Sequence, residues 1–156
     1  MSWQKEIDEL NKRKNLAQEL GGKEKVERQH KANRNTIRER ISLFFDKDSF
    51  QEFGMLSGQS SYKETGELEN FLPANSIIGH GLVNQQSIAF YGDEFTVRGG
   101  AADASIWEKM VAAEKLANEY EIPLVRFIEG TGGGGSVKSL EKQGSTYVPY
   151  NPGWDK

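Results

Sequence analysis

Apolar positions fall at helical spacing in three stretches of the chain and alternate or cluster in strand-like runs elsewhere. In 2–30 they are sparse. Ile7, Leu10 and Leu20 stand among charges at nearly every other position. This reads as a polar helical segment, broken into two helices by Gly21-Gly22. Such a segment is expected to lie on a larger body or on another subunit, or to remain a solvated arm. Thr36 with Glu39 three residues on forms a capping-box pattern, and Ile37, Ile41, Phe44 and Phe45 share one helical face. Asp46-Lys47-Asp48 ends that helix, and Ser49-Phe50-Gln51-Glu52-Phe53 alternates as a short strand does.

The interval 54–73 is polar and rich in turn residues, and is expected to be a long loop with a functional or partner-contact role. A hairpin follows. Residues 76–83 form one strand, Asn84-Gln85-Gln86 the turn, and 87–91 the other strand. Gly79 and Gly81 flank His80, which points to close backbone approach or a bulge, with His80 a structural strand residue. In 101–120, Ile106, Met110, Ala113 and Ala117 recur at helical spacing, and Ile122-Pro123 stops that helix. Leu124-Val125-Arg126-Phe127-Ile128 is a short apolar run that reads as a buried strand. Strand, helix and strand in this order predict a right-handed crossover within one sheet. That crossover would bring the Gly99-Gly100 and Gly130–Gly135 loops toward a common region. Residues 137–142 suit a turn of helix, and the aromatic, proline-rich stretch 147–154 has no evident place in the core.

Composition narrows the function classes. The 156 residues suffice for one domain with a core, and the net charge of −3 is spread over mixed signs, which excludes an electrostatic nucleic-acid surface. With no cysteine there is no disulfide, thiolate metal site or cysteine nucleophile. His30 and His80 are the only histidines, too few for a multi-histidine metal site. No apolar run reaches membrane-spanning length, and the acidic N-terminal residues Glu6, Asp8 and Glu9 do not suit a targeting leader, so a cytoplasmic location is expected.

The candidate chemistry lies after residue 128, where five of the six residues 130–135 are glycine. Glycines at the carboxyl end of a strand offer exposed amides and close approach to a ligand. Gly130 and Gly135 have P-loop spacing, but Ser136 stands where lysine is required, which excludes that motif. Gly130, Gly132 and Gly135 match the dinucleotide pattern Gly-x-Gly-x-x-Gly, which stays open as one reading. Another is a backbone oxyanion site for a thioester enolate, which needs no titratable side chain.

Four motifs in order resemble one family. Thr36-Ile37-Arg38-Glu39-Arg40-Ile41 followed by Leu43, Asp46 and Ser49-Phe50 resembles the N-terminal signature of biotin-dependent acyl-CoA carboxyltransferases. Gly79-His80-Gly81-Leu82-Val83-Asn84 resembles their first hairpin, and Phe95-Thr96-Val97-Arg98-Gly99-Gly100 their Phe-Thr-Val-x-Gly-Gly turn. The stretch 129–135 falls where they carry Asp-Ser-Gly-Gly-Ala, and 2–22 also looks like the β-type subunits of the propionyl-, methylcrotonyl- and acetyl-CoA carboxylase group. Departures are Gly130-Thr131 for the Ser-Gly opening, four consecutive glycines for Gly-Gly-Ala, and Asn35 and Gln85 for leucine and glycine.

The resemblance implies an α/β, crotonase-like (ClpP/crotonase) spiral of ββα units, incomplete here, with an N-terminal helical arm. It divides the chain into an arm, 1–34, and the truncated beginning of an acyl-CoA carboxyltransferase N-terminal domain, 35–156. It implies transfer of a carboxyl group from carboxybiotin to the α-carbon of an acyl-CoA. Gly132 and Gly133 would be the backbone oxyanion donors, and Gly99, Gly100, Gly134 and Gly135 would bind CoA. Carboxybiotin would arrive on a partner's carrier domain, with no biotin bound directly by this chain. Implied partners are acyl-CoA, a biotin carboxylase, a biotin carrier subunit and, when complete, further copies of the chain. No nucleic acid or membrane is implied. Arg38 and Arg40 are expected in structural ion pairs rather than on phosphate. The family's later glycine turns lie beyond Lys156, so the chain alone is expected to be inactive, with Phe90, Trp107 and Phe127 poorly covered. A non-catalytic fragment or scaffold subunit is the alternative.

Overall fold

The computed structural model describes residues 3–101, 106–130, 141 and 144. Its N-terminal helices are α1 (Gln4–Gln18) and α2 (Lys23–Lys31). They part where the glycines predict, with Leu20 at φ +57° and Gly22 at +95°. The arm is docked rather than solvated. Helix α1 lies along strand β3 (Leu68–Pro73), with Ala17 and Leu20 buried, Lys12 Nζ donating to the Leu68 carbonyl and Arg13 donating to Ser60 Oγ at 3.1 Å. Ile7 and Leu10, expected as anchors beside Leu20, are exposed; Ala17, Leu20 and Val26 face the body instead.

Helix α3 (Ile37–Phe44) starts at the predicted capping box. Glu39 Oε2 accepts from the Thr36 amide at 2.7 Å, and Thr36 Oγ1 accepts from the Glu39 amide at 3.3 Å. The main sheet has the order β1-β4-β5-β6, from β1 (Gln51–Phe53), β4 (Ser76–Val83), β5 (Gln86–Asp93) and β6 (Leu124–Phe127). The first three pair antiparallel and β5 pairs parallel with β6, so the chain must cross over, and helix α4 (Trp107–Glu119) lies on that crossover against β4 and β5. The β4–β5 register runs without a bulge. Gly79 serves close approach: a Cβ there would lie 2.1 Å from the Gln51 carbonyl oxygen.

Further expectations need correction. The interval 54–73 is not one loop: β2 (Gly58–Tyr62) and β3 pair antiparallel in a second, two-stranded sheet. Exposed β2 shows no apolar alternation, which hid it, while β3 turns Leu68 and Phe71 inward. Gln86 belongs to β5, because Val83 pairs with Gln86 and leaves a two-residue turn. Asn84 and Gln85 sit at φ +49° and +66°, as a type I′ turn requires, and Asp46 accepts from their amides at 3.0 and 2.8 Å. Strand β6 is half-buried rather than buried and ends at Phe127, with Ile128 71% exposed.

The core sits on the α3 side of β5. Phe90 is 0% exposed, against an expectation of poor cover. Around its ring stand Phe127 at 5.2 Å, Phe45 at 5.4 Å, Phe50 at 5.7 Å and Phe44 at 6.3 Å between centroids. Trp107 and Phe127 are half-buried. On the other face Ile78, Tyr91 and Ala113 pack together under Met110.

Phe90→Ala should lower the unfolding free energy by about 3–5 kcal/mol, the usual cost of emptying a buried aromatic site. Leu43→Ala on the outer face of α3 should change it by less than about 0.5 kcal/mol. Urea unfolding followed by circular dichroism gives both, and equal losses would contradict this core.

Candidate functional site

Because β5 and β6 are parallel, their carboxyl ends lie side by side, with Gly92 opposite Phe127. Strand β5 runs on into the short 3-10 turn Arg98–Gly100, and β6 runs on into Ile128-Glu129-Gly130. These two connections touch. A Cβ on Gly100 would lie 2.1 Å from the Glu129 carbonyl oxygen, so only glycine lets them meet. Of the two glycine segments expected to approach, Gly99-Gly100 and the start of the second, at Glu129 and Gly130, meet at this point. Gly132, Gly133, Gly134 and Gly135 lie outside the described residues.

The turn itself is unusual backbone. Arg98, Gly99 and Gly100 take φ +53°, +66° and +70° in succession. Left-handed geometry suits the two glycines and costs Arg98 about 1 kcal/mol. The Gly100 amide donates to the Val97 carbonyl at 3.2 Å and the Ala101 amide to the Arg98 carbonyl at 3.2 Å. Those two amides close the turn on itself, so Gly100 offers close approach.

A cavity of about 190 Å³ opens beside this junction, lined among others by Asn75, Tyr91, Asp93, Gly100, Trp107 and Arg126. The Tyr91 hydroxyl donates to Asp93 Oδ1 at 2.7 Å, and the Glu129 amide donates to Asp93 Oδ2 at 3.1 Å. Burial pushes the Asp93 carboxyl above its ordinary range, against the opposing pull of Tyr91, the Glu129 amide and the Arg126 charge. Burial, then the Asp93 charge, raises the Tyr91 phenol. The Arg126 guanidinium lies 5.2 Å from the Tyr91 ring centre and donates to Glu114 at 3.0 Å.

Both signature arginines are in ion pairs, as expected. Arg40 meets Glu129 at 2.5 Å and Arg38 meets Glu52 at 2.8 Å, while Glu39 serves the helix cap and His30. The Arg40 pair ties α3 directly to the residue before Gly130. His80 stands in β4 with its ring 5.4 Å from that of Phe53. Lys109 is buried on α4, donating to the Ser76 carbonyl at 2.5 Å, and burial lowers its ammonium to about 8, with Glu52 raising it and Arg38 lowering it further. Among the described residues no group of three or more histidine, aspartate or glutamate side chains could hold a metal, and no helix is long and apolar enough to cross a membrane.

The sequence reading did not single out Tyr91, Asp93, Asn75 or Lys109. For Asp93 a signal existed, since an acidic pair stands between the apolar run ending at Tyr91 and the glycine turn. Lys109 stands four residues before Ala113 and so shares its buried stripe, but a lysine reads as a surface residue.

The sequence profile of the carboxyl transferase domain matches residues 28–148. The chain is 30% identical to a propionyl-CoA carboxylase carboxyltransferase subunit of Haloferax mediterranei, over 96% of this chain and 31% of that protein. It is 29% identical to the beta5 subunit of a biotin-dependent acetyl-/propionyl-coenzyme A carboxylase of Mycobacterium tuberculosis, over 81% of this chain and 23% of that protein. Its fold is similar to that of transcarboxylase 12S, solved with methylmalonyl-coenzyme A and methylmalonic acid bound and described as a hexamer. The TM-score is 0.69 at 23% identity, over 84% of this chain and 26% of that one. The chain therefore spans a third or less of the length of these relatives.

Gly100→Ala should cost about 1–3 kcal/mol, from left-handed backbone together with the contact on Glu129. A thermal melt within 1 °C of wild type would show that the two connections do not touch as described. Asp93→Asn should keep both hydrogen bonds, with its amide donating to Tyr91 and its oxygen accepting from Glu129. A carboxyl raised by burial stabilises the fold below its unfolded value of about 4 and loses that contribution as pH rises through the folded value. The melting temperature of Asp93→Asn relative to wild type should accordingly increase from pH 4 to pH 7. A difference independent of pH would contradict the burial.

Proposed function

The chain belongs to the carboxyl transferase domain family and carries part of its crotonase-like α/β fold, and from that premise we propose that it is the carboxyltransferase component of a biotin-dependent acyl-CoA carboxylase. The observation that carries the reading is the meeting of Gly100 with Glu129 at the joint carboxyl ends of β5 and β6, beside a cavity. An acyl-CoA thioester entering there would lie along backbone free of Cβ at Gly99 and Gly100. Its α-carbon would lose a proton, taken up by the biotin ureido nitrogen that gives up the carboxyl group, and negative charge would move to the thioester oxygen. Amides of Gly132 and Gly133 would hold that oxygen, with Gly134 and Gly135 against the CoA. Carboxybiotin, carried by a partner, supplies the carboxyl group that the α-carbon takes up.

The remaining parts of the reading follow from the family. Residues 1–34 form an arm docked on the beginning of the domain, 35–156. A biotin carboxylase, a biotin carrier and further copies of the chain are its partners, in the cytoplasm. The glycine run is thereby read as an oxyanion loop and not as a dinucleotide fingerprint.

Gly133→Val and Gly132→Val in the assembled carboxylase should lower carboxyl transfer from methylmalonyl-CoA to free biotin. Removal of an oxyanion donor typically costs about 10²–10³ in rate. Wild-type turnover in both variants would sink the assignment.

A further inference from the structure

Glu94, directly after β5, is 1% exposed, and no described basic side chain pairs with it. A carboxylate at that depth is tolerated only where donors meet its oxygens. Oε2 accepts from the Ile37 amide at 2.9 Å and Oε1 from the Thr96 amide at 2.8 Å. Ile37 is the first residue of α3, so its amide is one the helix cannot satisfy, at the positive end of the helix dipole. The backbone of Glu94 is held as well: its amide donates to the Asn75 carbonyl at 2.8 Å, and its carbonyl accepts from the Val97 amide at 3.3 Å.

Two further bonds fasten the segment that Glu94 begins. Thr96 Oγ1 accepts from the Gly21 amide at 3.0 Å, which joins it to the break between α1 and α2. Asn75 Nδ2 donates to the Ala101 carbonyl at 2.8 Å. The three left-handed residues Arg98, Gly99 and Gly100 therefore sit inside a segment tied at its start, its middle and its end. Strained backbone persists where its surroundings over-determine it.

We infer that Glu94 is a positioning residue for the acyl-CoA site: its two carboxylate oxygens lock the Gly99–Gly100 turn to the start of α3, so that the N-terminal helices and the substrate turn form one rigid unit. The inference rests on the carboxyltransferase reading above. A carboxylate is required because both contacts are amide donors. Glutamine would set its own NH₂ against one of them and lose that bond.

The test compares wild type, Glu94→Gln and Ile41→Val in the native protein, by amide hydrogen exchange and by propionyl-CoA affinity. Ile41→Val loosens α3 without touching the clamp. Glu94→Gln should speed exchange at residues 37 and 96–101 by about tenfold or more, with β4 and β5 still protected. It should raise the propionyl-CoA dissociation constant by about tenfold, and Ile41→Val should leave it within about twofold. Unchanged affinity in Glu94→Gln, or an equal loss in Ile41→Val, would overturn the positioning role. Should Glu94→Gln not fold, wild type decides. Amides of Ile37 and Thr96 as slow as the interior of β5 support the clamp, and exchange at the unprotected rate removes it. A wild-type protein that shows no propionyl-CoA binding removes the carboxyltransferase reading and this inference with it. Binding without any loss in Glu94→Gln removes this inference alone.

Discussion

The described body depends on the exclusion of Phe90 from water in the middle of the sheet. Burial of one such side chain contributes about 1.5–3 kcal/mol, and each edge-on aromatic contact adds about 0.5–1.5 kcal/mol. Phe90 collects Phe44 and Phe45 at the end of α3, Phe50 before β1 and Phe127 on β6. Successive strand residues face opposite ways, so fixing Phe90 also fixes Tyr91 on the α4 side. A one-residue slip between β4 and β5 would exchange these two faces, which is why the register there is strongly specified.

The same constraint delivers the polar residues to the site. Asp93 shares the face of Tyr91 and meets its hydroxyl, and Glu94 follows at the point where the strand ends. Three carboxylates thus lie close to the junction of the two connections, a gathering of like charge that by itself would be unfavourable. Each is already engaged. Asp93 takes the Tyr91 hydroxyl and the Glu129 amide, Glu94 takes two amides, and Glu129 takes Arg40. Asp93 and Glu94 thereby hold backbone amides at the junction, and Glu129 ties it to α3 through Arg40.

Much of this was legible in the chain. Helix α3 was readable because Thr36 and Glu39 form a local cap and its apolar face has helical period. The β4–β5 hairpin was readable from its two apolar runs, and the parallel β6 from the strand–helix–strand order. Strands β2 and β3 were not, because an exposed two-stranded sheet needs no apolar alternation on its outer strand. The boundary at Gln86 turned on left-handed Asn84 and Gln85, which Asp46 stabilises from 38 and 39 residues away. The meeting of Gly100 with Glu129 was foreseeable from topology, but the cavity side chains Asn75 and Asp93 come together only through tertiary packing. Lys109 was hidden for the same reason: a buried lysine looks like a surface one until Ser76 and Glu52 are placed beside it.

The central claim is that the two glycine connections together receive an acyl-CoA thioester. The most direct measurement is a titration of the ¹⁵N-labelled protein with propionyl-CoA, followed through its amide resonances. Shifts should concentrate at Gly99, Gly100, Glu129 and Gly132 to Gly135, with the amides of β2 and β3 unmoved. Saturable shifts confined to other parts of the chain, or none at millimolar propionyl-CoA, would contradict the account.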